Sequence, residues 1–312
     1  MLKNFIRYNK QSGRLEVDYT IKRPQGNNWL NVEIDCNNKI TVENKPCFEA
    51  VWLTDVHARL DREPYYSQRI ALALESINSK PYDYVFDTGD ALQGLTVPAA
   101  GTHIQQLALY DKLKKGLKKP LFNILGNHDV YGTASATAAA DLGMPARYYY
   151  KDFPGNWRMI FLYSMGGLDS PSEPYSLGPT QLAWLTALIA DSKDKFVCIQ
   201  THVPIISVSS PVWRYYNAPT NPIGNVWFTG RSHVDVYPLL ELCRLNPNIK
   251  LVLTGHEHSY DDCLMFGTRF LCGGSLGAFY WNPENHWYYQ YAGYNRLKFF
   301  PDGTFTREIV LY

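Results

Sequence analysis

Leu121-Phe-Asn-Ile-Leu125 runs directly into Gly126-Asn127-His128-Asp129. An apolar run of strand length stops at a glycine, and a carboxamide, an imidazole and a carboxylate follow. The same grammar recurs along the chain. Ala50-Val-Trp-Leu53 leads to Asp55-Val-His57, and Tyr84-Val-Phe86 leads through Asp87-Thr88 to Gly89-Asp90. Phe196-Val-Cys-Ile199 leads to Thr201-His202, and Lys250-Leu-Val-Leu253 leads to Gly255-His-Glu-His258. Near-continuous apolar runs bounded by glycine are the pattern of strands buried on both faces. In such sheets ligands bind beyond the carboxyl ends of the strands. Strands that all end in metal-ligand chemistry are therefore expected to converge on one site.

The candidate ligands are Asp55, His57, Asp90, Asn127, His202, His256 and His258. They exceed what one ion needs and suit two ions if one carboxylate bridges. Carboxylate, imidazole and amide oxygen without sulfur favour Mn, Fe or Zn over calcium or cuprous ion. On an extended segment Asp55 and His57 point the same way while Val56 turns into the core, and His256 and His258 repeat that spacing. Two ions of this kind can clamp the oxygens of an in-line displacement at phosphorus.

Around this frame, residues 1–48 read as a small antiparallel β extension. Arg14–Ile21 and Asn31–Ile34 alternate apolar and polar, with turns at Gly26-Asn-Asn28 and Asn37-Asn38. Residues 49–312 read as one domain. Ser67 is expected to cap a helix with Ile70, Leu72, Leu74 and Ile77 inside it, and a helix over His103–Gly116 is expected to keep Ile104, Leu107, Leu113 and Leu117 on its inner side. Residues 204–233, rich in rings, prolines and glycines, are either a packed surface loop or a substrate lid in which Trp213, Tyr215 and Trp227 face the ligand. Cys263 and Cys272 flank an expected hairpin turning at Gly267-Thr268, either as two reduced thiols or as a disulfide.

Composition narrows the function classes. A formal net charge of +1 over 312 residues gives no long-range attraction to a polyanion, so no nucleic-acid surface is expected. No apolar run approaches a membrane span, and the basic first ten residues lack the apolar core of a signal peptide. A cytoplasmic protein acting on a small phosphoester, of undetermined oligomeric state, is the expectation. The 23 Tyr and 8 Trp are read first as core and interface residues.

Asp55-x-His57, Gly89-Asp90, Gly126-Asn-His-Asp129, His202 and Gly255-His-x-His258 together resemble the signature of the calcineurin-like metallophosphoesterase superfamily. The Gln181-Leu-x-Trp184-Leu segment and Gly273-Gly274 look most like its cyclic-nucleotide-phosphodiesterase-like branch. The resemblance implies an α/β fold, a two-sheet α/β/β/α sandwich. It implies Asp55, His57, Asp90 and His258 at one divalent metal, and Asp90, Asn127, His202 and His256 at the other. It also implies hydrolysis of a phosphomonoester or phosphodiester by a metal-bound hydroxide, with His128 protonating the leaving group. A nuclease, or a non-catalytic interaction protein such as a retromer subunit, shares this fold and stands as the alternative.

The sequence also departs from the family pattern. Gln93 stands where purple acid phosphatases carry a metal-binding tyrosine, and Gln93-Gly94 lacks the carboxylate–arginine pair of the protein Ser/Thr phosphatases. His128 is left without an evident orienting carboxylate, since Asp129 beside it is expected to point away. Arg59, two residues past His57, either grips a phosphate oxygen as a catalytic and substrate-binding group or pairs with Asp61 or Glu63.

Overall fold

The structure is a computed structural model. It describes the backbone of residues 4–9, 14–19, 31–34 and 40–43, and the chain in full over 45–166, 175–208, 233–277 and 292–312. Two hairpins come first: β1 (Asn4–Asn9) with β2 (Arg14–Tyr19), and β3 (Asn31–Ile34) with β4 (Ile40–Glu43). Among the described residues neither is hydrogen-bonded into the larger sheets. One of those has five strands: β5 (Phe48–Leu53), β6 (Tyr84–Asp87) and β7 (Leu121–Asn123) run parallel. Antiparallel β14 (Gly293–Phe299) and β15 (Phe305–Leu311) complete it, in the order β15-β14-β5-β6-β7.

The other sheet has six strands in the order β12-β13-β11-β10-β9-β8. Its parallel centre is β9 (Trp157–Phe161), β10 (Phe196–Gln200), β11 (Ile249–Thr254) and β13 (Thr268–Gly273). Antiparallel β8 (Tyr149–Phe153) and β12 (Tyr260–Met265) close its edges. Helices α1 (Tyr65–Asn78) and α2 (His103–Gly116) cross over between strands of the first sheet. A short α3 (Ser135–Asp141) precedes the second sheet, where α4 (Gly178–Ala190) and α5 (Val236–Leu245) make the crossovers.

The α/β/β/α layering follows from the period of two along each strand. In β5, Phe48, Ala50 and Trp52 enter the core between the sheets, while Val51 and Leu53 enter the core under α1 and α2. In the other sheet Leu251 and Leu253 face the first sheet, whereas Ile249 and Val252 face α4 and α5. Both faces are covered, which is why these strands read as unbroken apolar runs. A buried polar tie crosses the gap: Asn295 Nδ2 donates to Gly273 O at 2.8 Å, and Arg307 Nε donates to Asn295 Oδ1 at 2.8 Å.

Several expectations are corrected. Helix α1 begins at Tyr65, ahead of Ser67, whose Oγ instead donates to Glu63 Oε1 at 2.5 Å. Ile104 is 77% exposed, because α2 starts at His103 behind a Thr102–Gln105 capping box that turns position 104 to solvent, and Leu72 is 48% exposed, off the buried face of Tyr66, Ile70, Ala73 and Ile77. The hairpin turns at Phe266-Gly267, both at positive φ. Its register sets Cys263 opposite Phe270 and Cys272 opposite Asp261, so the two sulfurs are not cross-strand partners and both are free thiols.

Phe86 is fully buried at the centre of the inter-sheet core, with the rings of Phe122, Phe153, Phe161 and Phe299 between 5.6 and 6.4 Å away. Phe86→Ala is expected to lower the unfolding free energy by about 3–5 kcal/mol in urea titrations. The exposed Ile309→Ala is expected to stay within about 0.5 kcal/mol of the parent protein.

Candidate metal centre

The loops after β5, β6 and β7 meet those after β10 and β11, so both sheets contribute carboxyl ends to one place. The pairing of β5 with β6 continues past the strands. Asp55 N donates to Gly89 O, His57 N to Asp90 O, and Ala58 N to Ala91 O, each at 2.9 Å. This zipper carries Asp55, His57 and Asp90 forward together. Asp55, His57, Asp90, His256 and His258 all have positive φ, between 48° and 69°. The chelating pairs therefore share a direction through left-handed backbone, which corrects the extended segment expected from their spacing. Left-handed backbone costs an L-residue roughly 1–2 kcal/mol, and such outliers gather where a site fixes its geometry.

Two sets of donor atoms result. His258 Nε2 lies 3.1 Å from Asp55 Oδ1, and His57 Nε2 lies 3.1 Å from His258 Nε2, 3.8 Å from Asp55 Oδ1 and 3.5 Å from Asp90 Oδ2. In the second set His202 Nε2 lies 3.2 Å from the same Asp90 Oδ2 and 3.1 Å from Asn127 Oδ1. His256 Nδ1 lies 2.9 Å from Asn127 Oδ1. Within each set the carboxylate and imidazole ligand atoms lie within 4.8 Å of one another. Asp90 Oδ2 belongs to both.

The surrounding hydrogen bonds select which atom faces inward. His128 N donates to Asp90 Oδ1 at 2.7 Å, which leaves Oδ2 for the shared position. His202 donates from Nδ1–H to Thr88 O at 2.8 Å, so Nε2 is the nitrogen turned toward the cluster. Asn127 Nδ2 donates to Tyr131 Oη at 3.3 Å, which turns its oxygen toward His202 and His256. Asp55 Oδ2 accepts from Thr54 Oγ1 at 2.7 Å and from His256 N at 3.0 Å.

Electrostatics show what the cluster requires. Burial alone would raise Asp55, but His258 and His57 hold it well below the usual carboxylate range. Burial likewise opposes the ionised form of Asp90, and His202 and His128 outweigh it and keep the pKa low. Burial lowers His57 to about 4, so its ring is neutral near pH 7. At His202 burial is overcome by Asp90, and the pKa is pushed up to about 10. Two buried anions thus call for positive charge between themselves and the imidazoles. A proton on His202 supplies one unit, and divalent cations on the converging oxygen and nitrogen donors supply it more fully. This oxygen- and imidazole-rich set fits Mn, Fe or Zn.

Some contributors had no supporting role assigned from the sequence. Asp129 does turn away from the His128 ring. Its carboxylate accepts from Asp90 N at 2.9 Å, Leu92 N at 2.8 Å and Gly126 N at 2.8 Å, tying two ligand loops together. Ser164 Oγ accepts from His202 N at 3.1 Å and meets Thr201, which leads to His233 and Asp235. These residues lie far apart along the chain, so only the fold joins them. Gly126 and Gly255 were visible as strand stops, and their reason is steric. A Cβ on Gly126 would collide with the Asp90 carboxylate, and one on Gly255 would lie 2.6 Å from Asp55 Oδ2.

His128 has its Nδ1 2.8 Å from Gln93 O and 3.1 Å from Gln93 Nε2, and its ring centre is 4.6 Å from that of His57. Arg59 does not extend a free guanidinium into the cluster. Its Nε and Nη2 hold Asp61 in a two-point ion pair at 2.9 and 2.7 Å, and its Nη1 donates to Gln93 Oε1 at 3.4 Å. Of the two readings of Arg59, the ion pair with Asp61 is the one present here, where a carboxylate two residues away matches the guanidinium fork. Trp213, Tyr215 and Trp227 lie outside the described residues.

The family model of the calcineurin-like phosphoesterases matches residues 50–260. Among solved structures, a dimetal phosphatase from Danio rerio is similar at 13% identity, with 82% of this chain and 94% of that chain covered and a TM-score of 0.64. PhoD is similar at 15% identity over 93% of this chain and 67% of that one, with a TM-score of 0.54. The anchor in the inner membrane complex of Plasmodium is similar at 14% identity, over 85% and 84%, with a TM-score of 0.52. At these identities the likeness shows a shared fold. No curated protein matches the chain significantly in sequence. With the two-sheet sandwich in place and the family pattern spanning the segment that carries all seven candidate ligands, the chain belongs to the calcineurin-like phosphoesterase family.

Proposed function

We propose that this chain is a metal-dependent phosphoesterase with a dinuclear centre, hydrolysing a small phosphomonoester or phosphodiester. The observation that carries it is Asp90 Oδ2, one carboxylate oxygen 3.5 Å from His57 Nε2 and 3.2 Å from His202 Nε2. Asp55, His57, Asp90 and His258 would hold one ion, and Asp90, Asn127, His202 and His256 the other. Two divalent cations supply Lewis-acid polarisation of the phosphoryl oxygens and a nucleophilic water at neutral pH.

The chain's own groups do the rest. Asp90 and Asp55 are kept anionic by the imidazoles beside them, so the two carboxylates do not have to ionise before a cation binds, whereas His202 gives up its proton to bind. The Thr88 carbonyl holds His202 in the tautomer whose Nε2 is a ligand. His128 stands at the rim, half-buried, beside His57 and outside both donor sets. Its Nδ1–H faces Gln93 O, so from the doubly protonated ring Nε2–H would pass its proton to the departing alkoxide and leave a neutral imidazole. The near-neutral formal charge supports a small ester over a polyanion.

A panel of mono-, di- and cyclic phosphoesters on metal-reconstituted protein tests the proposal, and no turnover of any of them would sink it. Asn127→Ala and His202→Ala are expected to abolish turnover with the circular dichroism spectrum unchanged. Retained activity in either would mean that the second ion is held elsewhere.

His128→Ala is expected to slow alkyl esters by roughly 10²–10⁴-fold while sparing nitrophenyl esters, whose leaving group needs no proton. Equal losses on both would remove His128 as the acid.

Gly126→Ala, which pushes against Asp90, is expected to weaken metal binding by roughly 10–100-fold in calorimetric titrations. An unchanged affinity would show that the close approach of Gly126 does not set the carboxylate.

A further inference from the structure

Behind the second donor set runs a line of polar side chains that belongs to neither set. Ser164 in the loop after β9, Thr201 just past β10 and His233 ahead of α5 are all fully buried, and Asp235 at the start of α5 ends the line. Ser164 Oγ lies 2.8 Å from Thr201 Oγ1, and Thr201 Oγ1 lies 3.0 Å from His233 Nε2. His233 Nδ1 lies 2.9 Å from Asp235 Oδ1.

Hydroxyls and imidazoles can each donate or accept, but the two ends of this line decide for the middle. At one end Ser164 Oγ accepts from His202 N at 3.1 Å and from Val203 N at 3.3 Å, which takes both of its lone pairs. Its own O–H therefore donates to Thr201 Oγ1. The Thr201 O–H then donates to His233 Nε2, so the ring proton sits on Nδ1 and faces Asp235 Oδ1. At the other end, burial would raise the Asp235 carboxyl, and His233 and the Leu177 N–H hold it below the usual carboxylate range, so it accepts. The reverse order fails. A proton on His233 Nε2 would turn the Thr201 hydroxyl toward Ser164, a third donor against an oxygen already filled by two amides, and Thr201 has no other acceptor among the described residues.

We propose that Ser164, Thr201, His233 and Asp235 are positioning residues for the second ion: Asp235 fixes His233 as a neutral ring protonated on Nδ1, and that ring orders the two hydroxyls so that Ser164 holds the main chain of His202. The assignment rests on the dinuclear reading and adds to it what fixes one ligand. His202 is then clamped twice, at its ring by Thr88 O in the first sheet and at its main chain by Ser164 in the second. The two holds set Nε2 beside Asp90 Oδ2 and Asn127 Oδ1. Among the described residues none of the four bonds to Asp55, His57 or His258, so the first donor set stands outside this network.

The test separates positioning of one ion from a general contribution to stability. Thr201→Val keeps the shape of the side chain and removes its hydroxyl. In calorimetric titration of the metal-free chain with Mn²⁺, the parent is expected to take up two ions. Thr201→Val is expected to weaken one step by about 10–100-fold and to leave the other within about twofold. Thr201→Ser restores the hydroxyl and is expected to restore the weakened step. In a His202→Ala background Thr201→Val is expected to change no remaining step, since it acts through His202. Two parent-like steps in Thr201→Val, both steps weakened together, or a loss that persists without His202 each overturn the proposal. Ser164→Ala cuts the next link, is expected to show the same pattern, and serves if the Val variant does not fold.

A second readout needs no metal. In metal-free protein labelled with ¹⁵N-histidine, near neutral pH, His233 (assigned by its loss in His233→Gln) is expected to show a neutral ring with a slowly exchanging proton on Nδ1 and a bare Nε2. A doubly protonated ring, or a proton on Nε2 alone, overturns the proposal. If the parent takes up no metal, the dinuclear reading fails, while the His233 tautomer still reports whether the hydroxyls are ordered toward Ser164.

Discussion

Asp55 and Asp90 are carboxylates shut away from water, and the cost of keeping them ionised shapes everything near them. An anion in a low-dielectric interior is tolerated when it is paired or hydrogen-bonded on every side. The fold meets this condition by aiming imidazoles from both sheets at the same two carboxylates and by bonding their outer oxygens to His128 N, His256 N and Thr54 Oγ1. Burial raises the nearby Asp87 to about 6, where the Tyr110 hydroxyl and Gly89 N–H oppose the rise without cancelling it. The difference between Asp87 and Asp90 is one of neighbours, since both are fully enclosed. The group that faces histidines stays anionic, and the group that faces a phenol is drawn toward its neutral form.

The demand for close approach explains the backbone. Five charged or imidazole residues adopt left-handed conformations that side chains with a Cβ generally avoid, and the glycines beside them leave no volume that a methyl group could occupy. The strain is borne because the strands on either side are buried on both faces. A ring-filled core joins the sheets, and the carbonyl-to-amide zipper from β5 to β6 runs on to Ala58. Rigid sheets thus allow strained turns, and strained turns let donors from strands far apart in sequence share one carboxylate oxygen.

His128, the proposed acid, is organised differently from the candidate metal ligands. His202 is set by a single carbonyl in the sheet end behind it, whereas His128 stands at the rim and is set by a loop. That loop is braced by Gln106 through the main chain and by Arg59 through the side chain. Neutral partners suit the task. A carboxylate on Nδ1 would favour the protonated ring more strongly and hold its proton more tightly, while a carbonyl orients the ring and leaves the transfer freer.

The strands, their order of appearance and all seven candidate ligands were legible in the sequence, because a strand buried on both faces leaves an unbroken apolar run and a site at its end leaves polar residues after a glycine. Leu251–Thr254 followed by Gly255-His256 needs no partner to be recognised. The misread details came from patterns with two outcomes. A helix face cannot be placed without its first residue, as Ile104 shows, and a two-residue spacing does not report whether its backbone is extended, as Asp55 and His57 show. Tertiary structure alone decided that Asp61, Arg59, Gln93 and His128 form one chain of contacts, and that Ser164, Thr201, His233 and Asp235 stand behind His202. Local sequence records what a segment must bury. Which side chains then meet is fixed by how two sheets and their loops pack, and that is a property of the whole chain.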